Sequence, residues 1–287
     1  DAILVDIAAP DDRDRVSSRG WALGYLGGGI LLSANFLVLT FNDSLGLSTS
    51  TAVRLCLLGA GIWWGAFTLI PLRGLVARPP RDVVASSGDS LLGRSFGQLW
   101  STLKDLKNFP QTLTFLLAYL FFNDGIQTVI YAASIYGEKQ LKFEKSTVLI
   151  AFLAVQFVGI VGALVFGRVA IRIGTRKTIM MTLYIWGIVV VGGYFLPEEQ
   201  FLPFLVLAIG IGLVLGGSQA LSRSFYSQLI PRGSEAEYFS LYQSCERGTS
   251  WFGMVVFGVV HQISGSYRPA IVALILFFAL GLLFLPR

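Results

Sequence analysis

Residues 121–137, FFNDGIQTVIYAASIYG, combine two chemistries that water would keep apart. Phe121, Phe122, Ile126, Val129, Ile130 and Tyr131 belong in an apolar medium, whereas Asn123-Asp124-Gly125 is turn chemistry of a wet surface. As helix, 112–122 would span only about 16 Å, and 126–136 about the same. Neither crosses the ~30 Å of a hydrocarbon core, but joined through the triplet they do. The triplet therefore falls near the middle of a membrane span. A local helix break there is the expectation, and it must face protein or a water-filled cavity.

The rest of the chain has the composition of a lipid-embedded protein. Of its 287 residues 54% are hydrophobic and 14% charged, with mean hydropathy +0.68, against roughly 25% charge in a soluble domain. Eight apolar stretches are long enough to cross a bilayer: 20–42, 52–72, 111–135, 146–170, 177–196, 200–222, 237–262 and 268–285. They are continuous rather than alternating in ~10-residue segments, which predicts helices and not barrel strands. Gly61 with Gly65, and Gly212 with Gly216, have small-xxx-small spacing and read as helix contacts.

Basic residues set the orientation. Sixteen of the 22 Lys and Arg fall on one side: Arg13, Arg15, Arg19; Arg73, Arg78, Arg81, Arg94, Lys104, Lys107; Arg168, Arg172, Arg176, Lys177; Arg223, Arg232; and Arg287. That side is expected to be cytoplasmic. The loop 138–145 is an exception, with three Lys against Glu138 and Glu144. The net charge of +5 reflects this topology, and no nucleic-acid motif accompanies it. The Arg excess and compact loops point to a bacterial cytoplasmic membrane; a vacuolar-type membrane is the eukaryotic counterpart. Cys56 and Cys245 lie inside spans and imply no disulfide framework. A single histidine, His261, argues against a multi-ligand metal site, and no cofactor is indicated.

The opening DAILVDIAAPDDRDRVSSRGW resembles a helix tail, a Pro stop and a charged loop rather than a natural start. IAAP at 7–10 and QLIP at 228–231 are each followed by acids, a Ser and a Gly-containing span. Such a recurrence suits a carrier built from two parallel repeats. The expected organisation is 1–73 as the last two helices of an N-terminal half, 74–110 as a cytoplasmic linker, and 111–287 as a C-terminal six-helix half. Four helices of the same chain would then be missing upstream. Within the linker, Phe96, Leu99, Trp100, Leu103 and Leu106 have helical spacing. That amphipathic helix lies either on the membrane surface or on the protein.

After the fourth span comes GRVAIRIGTRK, 167–177. Gly167, Arg172, Gly174, Arg176 and Lys177, with Arg168 beside them, resemble the cytoplasmic gating-loop motif of the Major Facilitator Superfamily. The acidic position of that motif is Ile171 here, so its acid–base latch cannot form at this copy. RVSSRGWALGYLGGG (15–29), FFNDGIQTVIYAASIYG, GGSQALSRSFYSQLIP (216–231) and ERGTSWFGMVVFG (246–258) together resemble the vacuole-effluxer branch of that superfamily. The resemblance implies an all-α polytopic fold, a two-half helix bundle with about eight of an expected twelve helices present. It also implies secondary transport of small solutes such as amino acids, with membrane lipid as surroundings.

A charged Asp at the bilayer centre costs at least ~2.5–3.5 kcal/mol, so Asp124 is a functional candidate. Asn123, Gln127 and Tyr131 extend its polar character, and 124, 127 and 131 share a helical face. Gln219 and Arg223 supply polarity from the sixth span, Glu246 and Arg247 from the seventh. Counted from the span ends, Arg247 and Asp124 lie at roughly 15 and 20 Å depth, so they are expected to pair and to offer opposite charges to a zwitterion. A titratable Asp124 or Glu246 could couple transport to protons. A structural role for Asp124, capping a kink, is the competing reading. At the level of function the alternatives are a lipid or hydrophobic-compound exporter and a non-transporting scaffold. A membrane enzyme is disfavoured, because no His, Cys or paired acids share a face.

Overall fold

A computed structural model describes residues 2–74, 97, 100–248 and 250–286, and among these there is no strand. The helices are α1 (Ile3–Ile7), α2 (Arg13–Thr40), α3 (Thr49–Gly74), α4 (Pro110–Ile135), α5 (Lys145–Ile173) and α6 (Thr175–Tyr194). They are followed by α7 (Phe201–Leu229), α8 (Glu235–Gly248), α9 (Phe252–Ser264), α10 (Tyr267–Ala273) and α11 (Ile275–Phe284). Local chemistry sets several of these ends. Pro110 opens α4 at a position whose N–H has no helical acceptor. Gly174, at φ +93°, turns the chain from α5 into α6 within one residue, a conformation costly for any side chain with a Cβ.

Among the described residues, seven helical segments are long and apolar enough to cross a membrane: Pro10–Thr40, Thr49–Gly74, Pro110–Gln140, Lys145–Ile173, Thr175–Tyr194, Phe201–Leu229 and Tyr267–Phe284. The eighth expected span, 237–262, is instead two helices, α8 and α9, of 14 and 13 residues. A second expectation is corrected with it. Helix α4 runs unbroken through Asn123-Asp124-Gly125, and the break lies in the partner span between the end of α8 at Gly248 and the start of α9 at Phe252. Gly125 is used for packing: a Cβ there would stand 2.9 Å from Phe277 Cβ on α11.

Glycine governs the closest crossing too. Methyl groups at Gly212 and Gly216 would meet the α5 backbone, at Val155 O (2.8 Å) and Ala163 N (2.7 Å). The same spacing at Gly61 and Gly65 does nothing comparable, since nothing lies within 4 Å of either added Cβ. Helix α3 packs chiefly on α2, and Ala52 is its buried residue. Helix α2 lies along α5 and α7, with Gly28 and Gly29 admitting Gln156 and Phe157 and the Tyr25 ring seated on Gly159. Aromatic rings of α4, α7 and α8 fill the core, with Tyr242 stacked on Tyr119 at 4.1 Å and on Tyr226 at 5.1 Å.

Phe96, Leu99 and residues 75–95 lie outside the described residues. Residues 100–105 are helical. Leu106 is buried, Thr102 Oγ1 donates to Glu237 Oε2 at 2.9 Å, and Tyr238 Oη donates to Asp105 Oδ2 at 3.2 Å. Trp100 is 60% exposed and Leu103 46%. The linker helix therefore docks one face on α8 and leaves an apolar face outward.

Candidate translocation site

Helices α2, α4, α5, α6 and α7 enclose a cavity of about 310 Å³. Its wall is apolar apart from Gln127, Gln156, Gln219 and the aromatic residues Trp21, Tyr25 and Tyr136; among the described residues no Asp, Glu, Lys, Arg or His lines it. Tyr136 is already committed, its hydroxyl donating to Gly193 O at 2.6 Å. The amides are therefore the main hydrogen-bonding equipment offered to a guest.

A buried polar chain runs from this wall to the helix break. Gln219 Nε2 donates to Asn123 Oδ1 at 3.1 Å, and Asn123 Nδ2 donates to Glu246 O at 3.2 Å, near the end of α8. Asp124 Oδ2 accepts the N–H of Gly253 at 2.8 Å, in the first turn of α9. The first N–H groups of a helix have no internal acceptor, and its N-terminus carries positive partial charge. A carboxylate there stabilises α9 by ~0.3–2 kcal/mol, more at the buried end of that range. Asn123 and Asp124 thus serve the two sides of one break in another helix. The structure brings both into one polar cluster, and the break they bond lies in the other span.

Other expected site residues separate. Arg247 does not meet Asp124: it is exposed, and its Nε donates to Gln243 Oε1 at 3.3 Å. It lies in the last turn of α8 on the face opposite the buried Tyr238, Phe239 and Tyr242, and the Gly253 N–H occupies Asp124 instead. Tyr131 shares the helical face of Asp124, yet it is 58% exposed, because the packing that covers Asp124 does not reach two turns further. Arg223 serves α2 rather than the cavity: Nε donates to Ser17 Oγ at 3.0 Å, Nη2 to Ser17 O at 3.2 Å, and the guanidinium stands 5.9 Å from the Trp21 ring.

That contact belongs to a seam at the charged end of α2. Arg13 Nη1 donates to Ser227 O and Ser17 Oγ to Ala220 O, each at 2.7 Å, and Thr175 Oγ1 donates to Asp14 Oδ2 at 2.6 Å. Ser18 packs on Gly167, where an added Cβ would lie 2.7 Å from Ser18 Cβ. The loop lacking its acid at Ile171 thus receives one, Asp14, from α2. Elsewhere in the loop, Arg176 Nε donates to Pro286 O, while Arg168, Arg172 and Lys177 are exposed. Arg13 Nε, Asp14 Oδ1, Ser18 Oγ and Ser224 Oγ are buried without partners, so the seam is only partly satisfied. Each such orphan costs roughly 1–3 kcal/mol of seam stability.

The sequence signal for these residues is present but easily passed over. Arg13, Asp14, Ser17 and Ser18 recur at i, i+1, i+4 and i+5, a polar stripe on the first turns of an apolar helix. Gln156 is the isolated amide of an otherwise apolar span.

Residues 6–286 match the family described as vacuole effluxer Atg22-like. The chain belongs to this Atg22-like family. It is 30% identical over 292 residues to a Bacillus subtilis (strain 168) protein named "Uncharacterized MFS-type transporter YxiO", a match that covers 99% of this chain and 65% of that protein. It is 30% identical over 293 residues to autophagy-related protein 22-1 of Neosartorya fischeri, covering 94% and 48% respectively. With autophagy-related protein 22-2 of Penicillium rubens the identity is 30% over 285 residues, covering 88% and 46%. The chain thus spans 65% of the bacterial relative and about half of the fungal ones. It is an all-α, multi-pass integral membrane protein of the Major Facilitator type.

Proposed function

We propose that this Atg22-like protein is a secondary carrier that moves small polar solutes, amino acids foremost, by alternating access with proton coupling. The observation that carries the reading is the cavity of about 310 Å³ among α2, α4, α5, α6 and α7, whose wall carries three amides and no charged side chain among the described residues. Residues 111–287 act as one half of the carrier and 1–73 as part of the other, with 74–110 linking them. Rocking the halves about the cavity would part Arg13 from Ser227 and Ser17 from Ala220 and Arg223. The glycine turn at 174 and the small contact at Gly167 let this end close tightly.

The amides suit a zwitterion, since Gln offers both a carbonyl acceptor and N–H donors. A net charge would be poorly held in an uncharged wall, because desolvating it without a partner is costly. That same uncharged wall favours a second reading, export of a lipid or other hydrophobic compound.

Amino-acid uptake and efflux in vesicles carrying the protein, with and without a pH gradient, separates the two. Gradient-driven flux that falls about tenfold in Gln219→Leu supports the carrier of amino acids. Absence of flux for every amino acid, with correctly inserted protein and with competition by hydrophobic compounds, supports the second reading and overturns the first.

A further inference from the structure

Two apolar stripes on the outside of the molecule end in cations at the same place. On α2, Arg19, Leu23, Leu26 and Ile30 share one face by helical spacing, and all four are exposed. Helix α5 lies beside α2 and runs the other way, with Gly159 against Tyr25 and Gly167 against Ser18. Its exposed Val161, Val165 and Arg168 form the matching stripe. Where the two stripes end, a recess of about 90 Å³ opens between the helices. Arg15 and Arg19 line it from α2 and Arg168 and Ile171 from α5, with the Ser18–Gly167 contact between them. The recess lies about two turns or less from the start of α2 and the end of α5, at the end of the molecule that holds most of the Lys and Arg.

Three guanidinium groups gathered at one recess repel one another unless an anion joins them. The acids nearby are engaged elsewhere. Asp12 pairs with Arg15 at 3.1 Å on the exposed rim, and Asp14 accepts from Thr175 inside the seam. Among the described residues no carboxylate pairs with Arg19 or Arg168. Ile171 adds to the deficit, because it stands where the gating-loop motif has its acid, and an acid there would repel a bound anion. Guanidinium groups hold phosphate through paired N–H donors, and an exposed ion pair such as Arg15–Asp12 is weak enough to exchange for one. A lipid whose chains cover the two stripes already has its phosphate at this depth.

We propose that the recess binds the phosphate headgroup of an anionic phospholipid, whose acyl chains lie along the exposed faces of α2 and α5. The net negative charge of such a lipid matches a site with three cations and no free carboxylate among the described residues. The bound headgroup replaces repulsion between Arg19 and Arg168 by attraction of both to one phosphate. It thereby ties α2 to α5 from the lipid side of the seam, and parting the helices would strip the phosphate of the cations on one side. Use of that tie in gating rests on the carrier reading above; the site itself does not.

The test needs no transport. Native mass spectrometry of the full chain in detergent counts retained lipid after addition of dioleoyl-phosphatidylglycerol or dioleoyl-phosphatidylcholine, with and without inorganic phosphate as competitor. The expected result is one phosphatidylglycerol held in preference to phosphatidylcholine. Its affinity should fall at least about tenfold in Arg19→Gln/Arg168→Gln, which removes two cations from the recess, and fall likewise in Ile171→Asp. It should be unchanged in Arg172→Gln/Lys177→Gln, which takes the same charge from exposed positions of the loop outside the recess. All five positions are exposed, so the substitutions leave the packed interior alone. Equal weakening in the two double variants would mean attraction by overall charge and overturns the site. Full affinity in Arg19→Gln/Arg168→Gln and Ile171→Asp overturns it too, and displacement of the lipid by inorganic phosphate would assign the recess to a soluble anion instead. A lipid bound in this way by a protein without flux would overturn the carrier reading and leave the site standing.

Discussion

Gly216→Ala adds one methyl group at the closest crossing in the structure, where α7 lies against α5. The new Cβ would stand 2.7 Å from Ala163 N and 3.1 Å from Gly159 C, and it would meet Gly159 O as well. All three are backbone atoms of a packed helix, so none can rotate away. The helices must part by roughly 0.5–1 Å, a gap that forfeits a quarter to a half of each dispersion contact along the seam. If that seam holds roughly 40 atom pairs at ~0.15 kcal/mol each, the loss is about 2 kcal/mol, within the ~1–3 kcal/mol of overpacked cores. The folded-to-unfolded ratio should fall about 30-fold. Gly187→Ala is the matched control: it lies within α6, and nothing stands within 4 Å of its added Cβ. Replacing that glycine should leave stability unchanged or raise it by up to ~1 kcal/mol through helix propensity. Reversible unfolding in mixed detergent micelles measures both. Equal stability losses in the two variants would refute the reasoning, because it assigns the whole difference to what each methyl would touch.

Ser17→Ala removes one hydrogen bond given to Ala220 O and one received from Arg223, each worth ~0.5–1.5 kcal/mol when buried. Thiol labelling of a cysteine placed at the buried Ser18 should accelerate about tenfold, and an unchanged rate would count against the seam as a gate. Gly253→Ala should be poorly tolerated, because its Cβ would be driven against Thr128; thermal stability in detergent reports it. At the opposite end of the molecule, Lys142 Nζ pairs with Glu198 Oε2 at 2.7 Å. Lys142 holds the Glu198 carboxyl below its ordinary value and is itself raised by Glu198. The depressed acid contributes above the ordinary Glu value of about 4.3 and loses that contribution as pH falls through its own lower value. Hydrogen-exchange protection of the Glu199 N–H, which donates to Leu141 O at 3.0 Å, should therefore be flat from about pH 5 to 8 and drop only in stronger acid.

Most of the fold could be read from the sequence because lipid imposes a single rule on it. A span must close its own backbone hydrogen bonds, so length and apolarity locate helices without any knowledge of neighbours. The rule fails at 237–262. The segment joins a polar half, α8, to an apolar half, α9, and its geometry depends on α4, whose Asn123 and Asp124 bond the backbone on the two sides of the break. Asn-Asp-Gly was legible as polar chemistry at membrane depth; which helix it interrupts was not, because a capping side chain can act across a helix interface. Gly212 and Gly216 illustrate the same limit beside Gly61 and Gly65, since identical spacing packs tightly in one case and meets nothing in the other. The Asp124–Arg247 pair was inferred from depth alone. Depth fixes one coordinate, and the rotation of α8 about its axis, which sets Arg247 outward, is decided by the aromatic packing of Tyr238, Phe239 and Tyr242 inward.

The same packing explains why polar residues here lie in two separate layers rather than one charged cavity. Tyr119, Tyr226, Phe239 and Tyr242 form a continuous aromatic mass between the α2 seam and the α8–α9 break. No charged side chain among the described residues lines the cavity wall, although Arg223 stands over Trp21, one of its rings. Such a wall can hold a guest through neutral hydrogen bonds while Asp124 stays dry behind Asn123. Cargo and proton then need not touch. On the carrier reading they would be linked through the Gln219–Asn123–Glu246 hydrogen bonds, which join the cavity wall to the end of α8. Coupling of that kind must be reciprocal, since any effect of the proton on cargo affinity implies an equal effect of cargo on proton affinity. A cargo that binds in the cavity without altering the protonation of Asp124 would therefore mark the two layers as independent.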